Sequence, residues 1–158
     1  MESLGGGWTK FGHVVQNGSI SNTALTGQIN SDDISSLSDI STGKFLLSVA
    51  GLADLRLFIN FTQFRFYCYK PRHHRTIHIA TTNNMSNTEV VDYLTGKTDL
   101  RPPASQSYVK LPDDTSRTAI DCMRWEGQKW SGYHVNLNRR LYDHLIYVPG
   151  EYHVNLYT

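Results

Sequence analysis

The chain has 158 residues and a formal net charge of +1, enough for one domain whose core needs neither metal nor disulfide. Hydrophobic residues make up 39% and charged residues 18%, which excludes global disorder. The near-neutral charge argues against a dedicated nucleic-acid-binding protein, and no apolar run is long enough to span a membrane.

Residues 1–7, with three successive glycines, are expected to be flexible, and residues 8–158 to form a single β-rich domain. Trp8 to Val15 reads as a first strand, followed by an Asn17-Gly18 turn signal. Residues 31–40, SDDISSLSDI, are the one helix candidate: Ser31 or Asp32 can cap it, Ile34, Leu37 and Ile40 recur every third residue, and Gly43 ends it. From Phe45 onward the period changes to two. Leu55, Leu57, Ile59 and Phe61 alternate along one expected strand, and Phe64, Phe66 and Cys68 line a face of the next. Lys70-Pro71-Arg72 marks a turn. Strand patterns resume at Thr76–Ile79, Val90–Leu94 and Ser107–Leu111, punctuated by Gly96, Pro102-Pro103 and Pro112-Asp113-Asp114. Three more follow at Tyr133–Leu137, Leu141–Val148 and Glu151–Tyr157. The expected fold is mostly β, with sandwich-like antiparallel sheets and one short helix near residues 31–41.

Cys68 and Cys122 belong to no CxxC pair, so a zinc site has no support. They are either two buried thiols or one disulfide joining two strands, the latter in an oxidising compartment. The sequons at Asn17, Asn60 and Asn84 are weak pointers to secretion, since Asn60 lies in an apolar pattern. The N-terminal residues do not form a signal peptide, so a secreted form would have its leader absent from this chain.

Tyr133-His134-Val135-Asn136-Leu137 recurs letter for letter as Tyr152-His153-Val154-Asn155-Leu156. On a strand, His and Asn of each copy share one face. His134, Asn136, His153 and Asn155 would then offer neutral donors and acceptors to a hydroxyl-rich ligand. Trp125, Trp130, Tyr133 and several further tyrosines crowd the same third of the chain, and such rings can stack on a sugar.

Two stretches resemble the fibrinogen C-terminal-like domain. Gly5-Gly6-Gly7-Trp8-Thr9 is similar to its opening motif. Asp113-Asp114, Asp121-Cys122, Gly127, Trp130, His134, Asn136-Leu137-Asn138 and Tyr142 follow its later pattern in order. The chain is shorter than that domain, Tyr133 stands where the family has a cysteine, and the closing tryptophan-rich segment is missing. The resemblance implies a secreted lectin with Asp113 and Asp114 as calcium ligands and with Trp130, Tyr133 and His134 lining a sugar pocket.

Lys70 to Arg75 is the only basic run; it can meet phosphate, a sulfated glycan or an acidic lipid surface. No nucleophile elbow, P-loop, HExxH or GxGxxG is present. Asp143 and His144 are adjacent, and a small hydrolase built on His144 is the remaining enzymatic reading. The reading that leads is a secreted, non-enzymatic carbohydrate-binding protein with glycans as partners. Weak single-site affinity favours a homo-oligomer. A structural or adhesion module of an extracellular matrix is the alternative.

Overall fold

The structure, a computed structural model, describes residues 7–14, 30–38, 44–71, 74–83, 85–103, 106–116, 130, 145–148 and 151–155. They fall into two units, divided between Ile59 and Asn60. The described part is mixed α/β, with a three-stranded antiparallel sheet and two α-helices.

In the first unit, β1 (Gly12–Val14) pairs antiparallel with β3 (Lys44–Leu47), and β2 (Asn30–Ser31) lies parallel on the other side of β3. The helix expected over residues 31–40 is only a 3-10 turn at Ile34–Ser38. Ser31 is in a strand, and Asp33 opens the turn instead: its carboxylate accepts from the Ser35 amide at 2.8 Å and the Ser35 hydroxyl at 2.6 Å. These bonds hold the Asp33 carboxyl below its ordinary pKa. Ser38 bonds back to the Ser35 carbonyl at 2.6 Å. Serines that bond their own backbone compete with a longer α-helix.

Helix α1 (Val49–Ile59) occupies a segment that the alternation of Leu55, Leu57 and Ile59 assigns to a strand. The physical reason lies at its ends. Ser48 is the N-cap: its hydroxyl accepts from the Gly51 amide at 3.1 Å, and its carbonyl from Leu52 at 3.0 Å. The Ser48 hydroxyl itself donates to Asp32. Asn60 closes the helix in the left-handed region, φ 44°. Gly51, Leu52 and Leu55 are the buried stripe, whereas Leu57 and Phe58 are 84% and 74% exposed. The alternation is a coincidence of the exposed end.

The second unit is built on β4 (Arg65–Lys70), β5 (Arg75–Thr81) and β6 (Tyr108–Lys110), antiparallel in that order. Tyr67 faces His78, Tyr69 faces Thr76, and Ile79 faces Lys110. All three strands match their expected positions, because β-branched and aromatic residues there suit a strand; β4 alternates between an inner and an open face, whereas Ile77 to Thr81 of β5 are all buried. Phe64, Ile77, Ile79, Tyr108 and Leu111 are buried. Helix α2 (Met85–Leu94) replaces the strand expected at Val90–Leu94. Val90, Val91, Tyr93 and Leu94 are buried at helical spacing. Gly96, φ 78°, ends the helix: its amide bonds the Tyr93 carbonyl at 3.1 Å and the Lys97 amide bonds the Asp92 carbonyl at 2.9 Å. That is a Schellman cap, in which the left-handed residue must lack a Cβ to avoid strain. Lys97 adds an ion pair to Asp92 at 3.0 Å.

A hairpin of β7 (Leu145–Val148) and β8 (Glu151–Asn155) closes the described chain, with a register shift between Ile146 and Val148. The expected strand at Tyr133–Leu137 lies outside the described residues.

Trp130 belongs to the core of the second unit. It is 2% exposed. Its ring lies 5.9 Å from Phe66 and 6.1 Å from Tyr108, and its indole N–H donates to Ser107 Oγ at 2.7 Å. Its amide donates to the Pro102 carbonyl at 3.0 Å. Trp130→Ala should cost about 3–5 kcal/mol in urea unfolding, the range for emptying a buried aromatic position. A loss under about 1 kcal/mol would place the indole at the surface.

Candidate functional site

Strand β4 sends alternate side chains to opposite faces. Phe66 goes inward, 6.1 Å from Phe64 and against Trp130. Arg65, Tyr67 and Tyr69 therefore share the outer face, where Tyr67 is 61% and Tyr69 49% exposed. Their neighbours across the strand pair are Ala80, His78 and Thr76. Two open phenol rings thus stand two residues apart, roughly 7 Å along one strand.

His78 anchors this face from below. It is 4% exposed, and its ring meets Tyr67 edge-on at 5.2 Å. Arg65 Nε donates to its Nε2 at 2.6 Å, so Nε2 is the acceptor and the Nδ1 proton goes to Asp113. Asp114 completes the arrangement. Its carboxylate has no exposed surface and accepts from the His78 amide at 2.7 Å, the Ser116 amide at 2.8 Å and the Ser116 hydroxyl at 2.7 Å. Lys110 Nζ lies 3.2 Å away. Thr115 exchanges bonds with Thr76, at 2.9 Å through its amide and 2.8 Å through its hydroxyl, and the Leu111 amide reaches the His78 carbonyl at 2.9 Å. The loop after β6 is thereby tied along β5.

This geometry bears on the expected metal pair. Both oxygens of Asp114 face N–H and O–H donors, which a cation site would need to replace with oxygens. Asp113 is bonded to an imidazole N–H. Among the described residues, no group of three or more His, Cys, Asp and Glu is placed to hold a metal ion. The residues at 113 and 114 do not fit a calcium shell.

Of the expected sugar ligands, Trp130 is sealed in the core, so its faces meet Phe66 and Tyr108 rather than a ligand. Trp125, Tyr133, His134 and Asn136 lie outside the described residues. His153 and Asn155 are on β8, in the hairpin whose register shifts. His144, Asp143 and Cys122 also lie outside the described residues. Cys68 is on β4 and half-buried, and no disulfide occurs among the described residues. The outer pair Tyr67 and Tyr69 was missed. The signal was present: FRFYCY puts an aromatic residue on both faces of one strand, and only one face can be buried against a single core.

No family model, curated protein or solved structure matches the chain. Among the described residues, no helix is long and apolar enough to cross a membrane.

Two outcomes follow from the network. Asp114→Ala leaves the His78 and Ser116 donors unmet and should cost about 3 kcal/mol in denaturant unfolding; a change under about 1 kcal/mol would mean that water replaces the carboxylate. Asp113 has a lowered pKa, chiefly because His78 hydrogen-bonds its charged form. A depressed carboxyl adds stability above its ordinary value of 3.8, and this is lost as pH falls through the lower folded value. Melting temperature measured from neutral pH to below that window should therefore fall less steeply in Asp113→Asn than in the parent. Parallel acid limbs would show that the bond is absent in solution.

Proposed function

We propose that this chain is a non-enzymatic carbohydrate-binding module that acts outside the cell, and that the outer face of the β4–β6 sheet is its binding surface. The carrying observation is the exposed pair Tyr67 and Tyr69 on one strand face. A tyrosine ring offers a flat apolar surface to the C–H face of a sugar and a hydroxyl to its rim. Exposed aromatic side chains side by side on a strand are uncommon without a partner. Thr76, opposite Tyr69, adds a half-buried hydroxyl. The inner face, with Phe66, Tyr108 and Trp130, is the one a second sheet would cover if the fold extends to a sandwich, and that leaves the outer face to a ligand.

A second reading, an adhesion module with a protein partner, is favoured by Leu57 and Phe58, both exposed at the end of α1.

A glycan array of the intact protein, followed by titration calorimetry on the best saccharide, tests the first reading. Tyr67→Ala and Tyr69→Ala should each weaken binding about tenfold, the worth of one stacked ring. Stability should change by less than about 0.5 kcal/mol for Tyr69→Ala, which removes an exposed side chain. An array without signal, or affinity unchanged in both variants, rules out this surface. Glycan binding should survive Phe58→Ser, whereas loss of a protein contact in that variant would support adhesion.

A further inference from the structure

Asn60-Phe61-Thr62 fits the N-x-[ST] acceptor pattern, and its middle residue is not proline. The apolar alternation around it suggests a strand, where an acceptor would be enclosed. The structure places it elsewhere. Asn60 stands just past the last turn of α1, and Asn60 to Phe64 belong to neither helix nor strand. The other two sequons have their asparagines, Asn17 and Asn84, outside the described residues.

Exposure alternates along the motif. Asn60 and Thr62 are exposed, whereas Phe61 between them is half-buried, its ring edge-on to Phe64 at 5.2 Å. Phe61 is thus the anchor, and the two residues that define the acceptor stand open to solvent. Asn60 has φ 44°, so the chain turns out of the helix at that residue. Gln63 and Phe64 then tie the chain to Thr81, through the Gln63 side chain to its carbonyl at 2.6 Å and the Phe64 amide to its hydroxyl at 3.0 Å. The acceptor is therefore presented from a fixed base, with room for a bulky group on Asn60.

A second observation is apolar. Leu57, Phe58 and Ile59 immediately precede Asn60 and are 84%, 74% and 49% exposed. Three large apolar side chains open in a row call for a cover. Phe58 is two residues from the acceptor, and the C–H face of a first sugar can rest on its ring.

We propose that Asn60 is a site of N-linked glycosylation. This rests on the reading above that the chain acts outside the cell. The co-reactant is a polyprenyl pyrophosphate-linked oligosaccharide, which the secretory compartment of a eukaryotic cell supplies together with its transferase. Asn60 Nδ2 bonds the anomeric carbon, the bond from that carbon to the pyrophosphate oxygen breaks, and the amide gives up one proton as the lipid pyrophosphate leaves. The sugar then covers the apolar residues on which the adhesion reading rests.

Expression of the full chain behind a cleavable secretion leader in a eukaryotic cell, followed by peptide mapping by mass, tests this. The peptide spanning residue 60 should carry a mass gain that an asparagine-specific amidase removes, leaving an aspartate. Asn60→Gln and Thr62→Ala should each abolish that gain, while Thr62→Ser keeps it, which separates loss of the acceptor from loss of folding. A chain retained in the cell is mapped from the lysate and read in the same way. An unmodified residue 60, or modification at Asn17 or Asn84 alone, overturns the site and leaves the sugar-binding surface to the glycan array. A modified Asn60 in a protein that gives no array signal keeps the site and overturns sugar binding.

Discussion

The outer face of the second unit depends on one buried carboxylate. Asp114 carries no exposed surface, and an uncompensated charge in such a place is strongly unfavourable. Four donors on three residues compensate it: the His78 amide, two groups of Ser116, and Lys110. Meeting them fixes the loop after β6 against the middle strand. Asp113, the neighbouring residue, is then carried to His78 Nδ1. With its proton committed there, the imidazole presents a lone pair at Nε2, and Arg65 is drawn down to it. Tyr67 lies edge-on to the same ring. The positions of Arg65 and Tyr67 thus follow from how a loop two strands away satisfies one acid.

A different constraint keeps the rings in view. The side-chain period of a strand is two, so a slip of one residue in β4 would exchange its faces. Phe64, Phe66 and the cross-strand bonds at Thr81 set the register. Phe64 and Thr81 bond through amide and carbonyl at 2.9 Å, and the Thr81 hydroxyl accepts the Phe64 amide at 3.0 Å. Gln63 adds a bond to the Thr81 carbonyl at 2.6 Å. With Phe66 held against Trp130, Tyr67 and Tyr69 have only the outer side left.

The β4–β6 sheet was legible in the sequence because β-branched and aromatic residues recur within each strand and are bounded by Pro and Gly. The two helices were not. In α1 the alternating Leu55, Leu57 and Ile59 outweighed the quieter evidence of Ser48 as a cap and of Gly51, Leu52 and Leu55 as one stripe. In α2 the β-branched Val90 and Val91 gave a strand signal, although Gly96 two positions past Leu94 is where a helix cap stands. Trp130 shows the matching limit for the site. Aromatic density marks where rings are, and only neighbours decide whether a ring is core or surface. Ser107 and Tyr108, more than twenty residues earlier, make it core.

The acid pair at 113 and 114 illustrates why a motif and its chemistry can part. Adjacent carboxylates in a Pro-Asp turn match the start of a cation loop, and they match equally well a turn that satisfies amides. The difference is made by partners, since a cation needs oxygens and a turn supplies N–H groups. Here the partners of Asp114 are donors from three directions, so its charge is met within the fold, whereas Asp113, bonded to His78, keeps a side chain that is 59% exposed. The face beside it therefore carries an exposed carboxylate, that of Asp113, next to His78 and Arg65. Net charge alone misses this. The molecule keeps its acids and bases nearly equal in number, but it uses an acid to build the scaffold of a face on whose hairpin every formal charge is positive.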